Sequence, residues 1–419
     1  MISFGEILTA ENAEVPHRRR KEFYSMNFSL RFLSAFFALF AVLFFFETKN
    51  SSAQDSSSHF DLNGYIKNLQ TFSISQEADS VYLSNLVHNR INFSFHPGKH
   101  FLFHAGARNL LFVGDQVRYT PYFSKLIDQD NGYWDLSFVW LDNKSVVGVT
   151  QFDRLYADWK FKNGLIRAGR QRINWGINIT WNPNDIFNTY NFLDFDYEER
   201  PGADALRFEY YFSGSSQLDF GVSRSGADSS WIIAAKYGFN KWGYDFQVLS
   251  GNYRSDIVAG LGFAGNIGTA GFKGELSYFQ PRETFFDTSG AVSISSGVDY
   301  AFGDGWYVNG SFLYNSAATD QIYSVGQLTG FQLTPKTLMP AKWSFLVQGT
   351  KSFTPLLSGN FSVVYSPKVN LLILLPYLSY SLAENWDADL NLQTFFAENP
   401  EQQFKSLGTS VNLRVKWSF

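Results

Sequence analysis

The chain has 419 residues, of which 45% are apolar, 18% are aromatic and only 17% are charged. This aromatic content is higher than in ordinary soluble domains, and the apolar content excludes a disordered chain. Cysteine is absent, which excludes disulfides, thiolate nucleophiles and cysteine-bound metals, and the formal net charge of -4 gives no reason to expect a nucleic-acid partner.

An apolar run lies near the start of the sequence, over residues 32–46, and basic residues precede it. A run of about 15 residues is too short for a bilayer-spanning helix but suits the apolar region of a signal peptide. Ser51 and Ala53 supply the small residues that a signal peptidase needs. We therefore interpret residues 1–53 as an upstream segment plus a cleavable signal peptide, with Met26 as a better start than Met1. An uncleaved signal anchor is the alternative.

From residue 54 to the end, apolar side chains recur with a period of two rather than 3.6, which indicates strands. The pattern predicts an all-β chain of about eighteen strands, each long enough to cross a bilayer at a tilt, with sixteen as the alternative count. The predicted strands cover residues 59–73, 81–96, 100–113, 150–161, 164–174, 203–213, 216–223, 230–239, 241–251, 256–265, 269–280, 290–302, 305–316, 342–352, 357–366, 369–381, 384–397 and 405–419.

The predicted connections alternate between short turns, most of which contain Gly, Asn or Pro, and longer segments. The three longest cover residues 114–149, 175–202 and 317–341. Outer-membrane barrels alternate short periplasmic turns with long external loops in this way. Residues 54–419 are therefore predicted to form one transmembrane antiparallel β-barrel with apolar side chains facing lipid. The opposite orientation would cost about 2–4 kcal/mol for each Arg or Lys near the midplane.

Three neighbouring segments stand apart: residues 169–176 read GRQRINWG, residues 181–188 read WNPNDIFN and residues 199–210 read ERPGADALRFEY. This stretch resembles Gram-negative outer-membrane porins, including alginate-export-type porins and related uncharacterised channels, in which GRQ-x-x-x-WG leads into a loop with N-P-x-D. The resemblance implies passive diffusion of small polar solutes and a 175–202 loop that folds into the barrel and narrows it. Asn182, Pro183 and Asp185 also predict a short helix in this loop.

Acidic and basic residues concentrate around this loop. Two interpretations stay open: opposite charges face each other across a constriction and select permeants, or they pair and pin the loop to the wall. Strand alternation places Arg170 and Arg172 on the outward face, unless Gly169 marks a bulge or both lie above the lipid. The constriction candidates are Arg154, Asp158, Arg167, Arg170, Arg172, Asp185, Asp194, Asp196, Glu198, Glu199, Arg200, Arg207 and Glu209.

Motifs of enzymes are missing from the sequence, which has no GxSxG, HExxH, Walker or dinucleotide fingerprint in a strand-to-helix context. His96, His100 and His104 surround a predicted turn with a spacing unlike that of helical zinc motifs. We predict no catalytic residue, no metal and no cofactor. Two other classes remain as alternatives: an outer-membrane hydrolase with a Ser-His or Asp-His arrangement, and a plugged barrel that acts as an adhesin or scaffold through its long loops.

The last ten residues alternate strictly, with Val411, Leu413, Val415, Trp417 and Phe419 on one face. A strand that ends on an aromatic carboxyl terminus resembles the assembly signal of bacterial outer-membrane barrels. It implies that the barrel-assembly machinery recognises Phe419. Outer-membrane lipid, lipopolysaccharide and small polar solutes are the other expected partners, and homo-oligomerisation is left open. The mixed signs of the lumen charges predict neither strong anion nor strong cation selectivity.

Overall fold

A computed structural model describes residues 59–75, 80–130, 132–190, 192–194, 196, 200–226, 228–320, 331, 333–398 and 403–419. The predicted signal peptide and Glu198 and Glu199 lie outside these ranges. The strands are β1 Phe60–Ser75, β2 Ser80–Gly98, β3 Phe101–Gly114, β4 Ser137–Asn143, β5 Val146–Phe161, β6 Gly164–Gln171, β7 Ala203–Tyr211, β8 Gln217–Arg224, β9 Trp231–Lys241, β10 Tyr244–Tyr253, β11 Asp256–Ile267, β12 Ala270–Pro281, β13 Ala291–Ala301, β14 Trp306–Asn315, β15 Trp343–Ser352, β16 Leu357–Ser366, β17 Leu371–Ala383, β18 Trp386–Glu398 and β19 Phe404–Ser418. Short helices occupy α1 Asp115–Tyr119 and α2 Phe123–Ile127, and Pro367–Val369 form a 3₁₀ turn.

The strands form a closed antiparallel barrel of eighteen, which confirms the predicted architecture and the higher of the two strand counts. All strands except β4 belong to its wall, and β19 pairs back to β1 from Tyr65 opposite Ser418 to Ile74 opposite Thr409. Phe419 completes the seam, because its N–H donates to the Gly64 carbonyl at 2.9 Å and its own carbonyl accepts from the Gly64 N–H at 3.0 Å. Closure pairs the two edges that an open sheet would leave exposed.

The two ends of the barrel differ as predicted. At one end, eight connections contain only two to five residues. The β9–β10 turn is typical: Trp242 and Gly243 both have positive φ, of 56° and 78°, as a two-residue hairpin turn requires. The three longest connections, between β3 and β5, β6 and β7, and β14 and β15, are all at the other end. Within the described ranges, no helix is long and apolar enough to cross a bilayer.

Strand β4 was not predicted and lies within the first long connection. It pairs with residues 146–151 of β5. Strand β6 pairs with the same edge of β5 further along the strand, at residues 155–161. Strand β6 ends at Gln171, so without β4 the upper part of β5 would lack a neighbour on that side. A short extra strand therefore pairs backbone groups that β6 leaves open.

The wall is apolar outside and polar inside, the reverse of a soluble domain. Trp159, Leu206, Leu261 and Val347 are 49–60% exposed on the outward face. Inward-facing charged side chains are buried, among them Asp158 at 2% exposure. This arrangement suits a barrel surrounded by hydrocarbon, because inward charges such as Asp158 and Asp219 pair with other groups of the wall.

The described parts of the three long connections fold into the mouth of the barrel and form apolar clusters there. Helices α1 and α2 pack Val117, Phe123 and Ile127 against β3 and β5. Residues of the β6–β7 connection pack against β9 to β12, and those of the β14–β15 connection pack against β15 to β18. Apolar loop side chains are thus covered by the inner wall instead of solvent.

Candidate functional site

The connection from β6 to β7, residues 172–202, crosses the interior of the barrel, and we call it the crossing loop. Its first part is tightly held: Ile173 and Trp175 are 0% and 1% exposed. The Trp175 indole N–H donates to Oδ2 of Asp219 on β8 at 2.6 Å, and the Gln247 side chain on β10 donates to the Trp175 carbonyl at 2.8 Å. The loop therefore leaves the wall at β6 and immediately joins the inner face of the neighbouring strands.

Glu275 on β12 is the main anchor of the middle of the loop. Its Oε1 accepts the backbone N–H groups of Ile177 at 2.6 Å and Asn178 at 2.7 Å, and its Oε2 accepts that of Asn184 at 2.9 Å. Three N–H donors to one buried carboxyl group satisfy backbone groups that have no partner in a sheet or helix. The Glu275 side chain thus holds the loop at two places, at residues 177–178 and at Asn184.

The short helix predicted from Asn182, Pro183 and Asp185 does not form, and that prediction is wrong. Residues 182–186 make a turn, in which the Asp185 N–H donates to the Asn182 carbonyl at 3.1 Å. The Asn184 N–H, which the Asn182 side chain could cap at the start of a helix, is bonded to Glu275, and the Asn184 amide donates to the Leu261 carbonyl at 2.9 Å. Contacts with the wall thus hold this segment in a turn.

The far end of the loop reaches the opposite side of the barrel. The Asp196 carboxylate lies 2.7 Å from Nζ of Lys67, 3.4 Å from Nδ1 of His88 and 3.5 Å from Nη1 of Arg414. Burial alone would raise the pKa of Asp196, but the hydrogen bond with His88 and the charge of Lys67 outweigh it and hold the pKa at about 2. The loop is therefore tied to β1, β2 and β19 by a buried ionised carboxylate.

Asp185 lies at the centre of the loop and is 1% exposed. Its Oδ1 accepts the Trp175 N–H at 3.4 Å, and its Oδ2 is 4.0 Å from Nη1 of Arg200. Burial raises the pKa of Asp185 to about 7, although the positive charges of Arg200 and Arg172 act in the opposite direction. The protonation of this carboxyl group therefore changes near neutral pH.

Most of the other predicted constriction residues are engaged in pairs. Asp158 and Arg167 form a two-bond pair at 2.6 and 2.7 Å. Arg207 pairs with Asp219 at 2.9 and 2.6 Å and with Glu209 at 2.6 Å. These pairs join neighbouring strands of the wall. They favour a role in holding the wall, while a transverse field across the constriction stays a prediction.

Of three further candidates, Arg154 on β5 contacts the loop, and Asp194 and Arg172 belong to it. Arg154 donates from Nη2 to the Arg200 carbonyl at 2.6 Å, so it holds the loop backbone. Asp194 accepts the Asp196 N–H at 3.2 Å within the loop. Arg172 is half-buried where the loop leaves β6.

Arg170 is outward-facing, as strand alternation predicts, because it is opposite Leu155 without a register shift on β6. It does not face lipid. Its guanidinium forms a two-bond pair with Asp204 at 2.8 Å on both oxygens and contacts Asp130 at 2.5 Å. The first long connection covers it, and its side chain is only 5% exposed. The register excludes the bulge at Gly169, and a loop shields this arginine; a position of Arg170 and Arg172 above the lipid stays a prediction.

Several residues that hold the crossing loop were not among the sequence candidates: Lys67, His88, Glu275 and Arg414. Strand alternation can place these side chains in the lumen. It cannot indicate which of them meets a loop that comes from a distant part of the chain, since that depends on the barrel's curvature and shear.

An open cavity of about 450 Å³ remains between the crossing loop and strands β15 to β18, and we call it the neutral cavity. Its lining comes from both sides and contains no charged residue among those that the structure describes. The lining residues are Ile179, Thr180, Tyr190, Phe192, Leu346, Gln348, Thr350, Ser358, Gly359, Asn360, Ser362, Leu375, Tyr377, Asn391 and Gln393.

The histidine cluster near the β2–β3 turn is spread over separate contacts. His96 lies 3.1 Å from Asp61, His100 bonds the Lys160 carbonyl at 3.0 Å, and His104 lies 2.9 Å from the Ser94 hydroxyl. In the described part of the chain, no group of three or more His, Asp or Glu residues is close enough to hold a metal ion.

Comparison with known proteins extends this picture at the level of the fold. No family model and no curated protein matches the sequence. The structure is similar to the outer membrane protein opdK of Pseudomonas aeruginosa, with a TM-score of 0.52 and 9% identity over 86% of this chain and 98% of that chain. It is also similar to OccAB3 of Acinetobacter baumannii, with a TM-score of 0.53 and 10% identity over 86% and 99%. A third similar structure is OccK8 (OprE) of Pseudomonas aeruginosa, with a TM-score of 0.52 and 12% identity over 86% of this chain and 98% of that chain. At such low identity, the similarity establishes a shared barrel fold.

Proposed function

We propose that this chain is an outer-membrane channel for passive diffusion of small hydrophilic solutes, with the crossing loop as its constriction. The observation that carries the proposal is the combination of an eighteen-strand barrel and a loop that crosses it without filling it. Barrels of sixteen to eighteen strands enclose a channel unless their loops plug it. The neutral cavity beside the loop favours an open channel over a plugged adhesin or scaffold.

We also propose that the barrel lies in the bacterial outer membrane after export with a cleavable signal peptide. The apolar outer belt supports a lipid environment, and a solved relative of the same fold is named an outer membrane protein. Phe419 at the seam of the barrel is the residue that we expect the assembly machinery to recognise. Lipid and lipopolysaccharide around the belt complete the set of proposed partners.

A hydrolase function is less well supported. The Ser94 hydroxyl and the His104 imidazole are within 2.9 Å, as a nucleophile and its base would be. A triad also needs a carboxylate on the second imidazole nitrogen. Among the described residues, none is bonded there. The inferred function therefore involves no covalent chemistry.

Single-channel recording tests the proposal. Residues 54–419, refolded in detergent and inserted into a planar bilayer in KCl, should give discrete and stable current steps. Unfolded protein from the same preparation is the control, since it should give none. A barrel that is folded by its heat-dependent migration on a gel, yet gives no steps, would overturn the channel proposal and favour a plugged barrel.

A further inference from the structure

The neutral cavity has a chemical character that the proposed channel function does not explain. The polar side chains on its wall side are all amides and hydroxyls, which include Gln348, Thr350, Asn360 and Ser362. These groups both donate and accept hydrogen bonds. By contrast, the opposite side of the lumen contains charged pairs such as Asp158 with Arg167 and Asp219 with Arg207. The crossing loop therefore separates a part of the lumen that is lined by charged pairs from a cavity whose lining is uncharged.

Charges near the neutral cavity are compensated by other groups. At its lower end, the Asp389 carboxylate accepts from Arg414 at 2.7 Å and from the Tyr377 hydroxyl at 2.6 Å. On the loop side, the Arg200 guanidinium stacks 3.4 Å from the centre of the Tyr190 ring. A carboxylate or ammonium ion that enters the cavity would lose water without gaining a free counter-charge, which is costly.

Hydrogen-bonding capacity remains unused in the cavity. Asn360 donates to Thr350 at 2.8 Å and accepts from Ser362 at 2.9 Å, so this part of the wall is ordered. The Gln348 side chain makes no hydrogen bond with any residue that the structure describes. Next to it in the register lies Asn309, which is 1% exposed and whose Nδ2 has no partner among the described residues. A solute with several hydroxyl groups can bond to such amides in either direction.

Aromatic and apolar side chains complete the cavity. The loop contributes Tyr190 and Phe192, and Tyr377 lies on the opposite wall. Aromatic rings offer flat apolar surface, which suits the C–H face of a pyranose ring, while amides suit its hydroxyl groups. A volume of about 450 Å³ is in the range of sites for small molecules.

We propose that the neutral cavity binds and passes uncharged polyhydroxylated solutes, the class that includes neutral mono- and disaccharides. This inference rests on the proposed channel function and narrows its substrate class. Neither the charges of the loop nor those of the opposite wall contribute to recognition. They hold the loop in the position that leaves this cavity open.

Uptake into vesicles with three sugars of matched size tests the inference. Glucose, glucuronate and glucosamine differ mainly in charge. In vesicles that contain the full mature chain, glucose should enter roughly tenfold faster than either charged sugar, which corresponds to about 1.4 kcal/mol of discrimination. Equal or faster entry of glucuronate or glucosamine would overturn the inference. KCl conductance, recorded on the same preparation, separates the two proposals because its absence rejects the channel itself.

A double variant tests whether the discrimination between these sugars arises in the neutral cavity. Replacing Gln348→Glu together with Asn360→Asp places negative charge in the cavity, so glucose entry should fall and glucosamine entry should rise severalfold. The control is Asn63→Asp, which adds a similar charge at an exposed position of β1 outside the cavity and should change neither rate. If the double variant folds and leaves all three rates unchanged, the solutes do not pass through this cavity and the inference fails.

Discussion

At the scale of single residues, Glu275 controls the position of the crossing loop, because its carboxyl group receives three backbone N–H groups. In Glu275→Gln, one oxygen becomes an NH₂ group, which faces an N–H donor and cannot accept from it. Each unsatisfied buried donor costs about 1–3 kcal/mol. The fraction of time that the loop spends detached from the wall should therefore rise roughly tenfold. Open-channel current noise should increase and the loop should be cut more rapidly by protease.

The control for this prediction is Glu283→Gln, because Glu283 is exposed in the β12–β13 connection. It should change neither noise nor cleavage. If Glu275→Gln also leaves both unchanged while the barrel is folded, the loop does not depend on this anchor.

Asp185 should make loop docking depend on pH. Its pKa is raised to about 7 in the folded chain, against 3.8 when it is exposed, so the folded chain binds the proton more tightly. The contribution of Asp185 to the free energy of unfolding is therefore fully present below about pH 4. It falls by up to roughly 4 kcal/mol as the pH rises to about 7. The charged or titratable groups that act on it include Arg200, Arg172, Glu275 and Lys236.

Current noise between pH 4.5 and pH 8 measures this effect. The native chain should become noisier as the pH rises, and Asp185→Asn, which mimics the protonated form, should remove most of that rise. Asp287→Asn, at an exposed position of the β12–β13 connection, should behave like the native chain. A pH response that is unchanged in Asp185→Asn would assign it to another group.

At this scale, the sequence predicted which face of a strand a residue lies on, but it did not predict which residues are in contact across the barrel. Alternation correctly placed Asp158 inside and Leu155 outside. It did not predict that Asp196 would meet Lys67, since these residues are 129 positions apart in the chain. Such contacts depend on the diameter and shear of the closed barrel, which no local pattern encodes.

At the scale of elements, the wall has a gap where β6 ends, and the first long connection closes it. Arg170 on β6 joins that connection to β7, because it contacts both Asp130 and Asp204. The Trp134 N–H also donates to Asp204 at 2.9 Å, and the Leu136 N–H donates to Asp130 at 2.9 Å. The buried arginine therefore secures the segment that leads into β4.

Arg170→Met removes the charge and keeps an unbranched side chain, leaving two carboxylates without their partner. Removing one member of a buried pair costs about 3–5 kcal/mol. Hydrogen exchange at the amides of Trp134 and Leu136 should accelerate by more than about a hundredfold. Arg118→Met, on the exposed side of α1, is the control and should leave exchange unchanged. Unchanged exchange in Arg170→Met would show that β4 alone holds the segment.

The strands themselves were predictable, and the elements inside the long loops were not. Every strand of the wall matches a predicted one, because alternating side chains repeat along it and turn residues separate it from the next strand. Strand β4 depends on a gap in the wall, and where the short helix was predicted, Asn184 is instead bonded to Glu275 and Leu261 of the wall. Both outcomes follow from tertiary contacts that override local preference.

At the scale of the whole molecule, the barrel and the crossing loop together define the path that we propose for solutes. The closed wall supplies the lumen, the anchors on β12 and on β1, β2 and β19 stretch the loop across it, and the neutral cavity remains on one side. The central claim is therefore that ions and solutes cross the barrel between the loop and strands β15 to β18.

A single cysteine tests this claim directly, because the chain has none of its own. In Gln348→Cys, reaction with a bulky uncharged thiol reagent should lower the single-channel conductance in one step. The same reaction at Ser250→Cys, on the exposed outer face of β10, should leave the conductance unchanged. A fall in conductance at Gln348→Cys alone would place the path in the neutral cavity. Complete labelling of Gln348→Cys with an unaltered conductance would contradict the account.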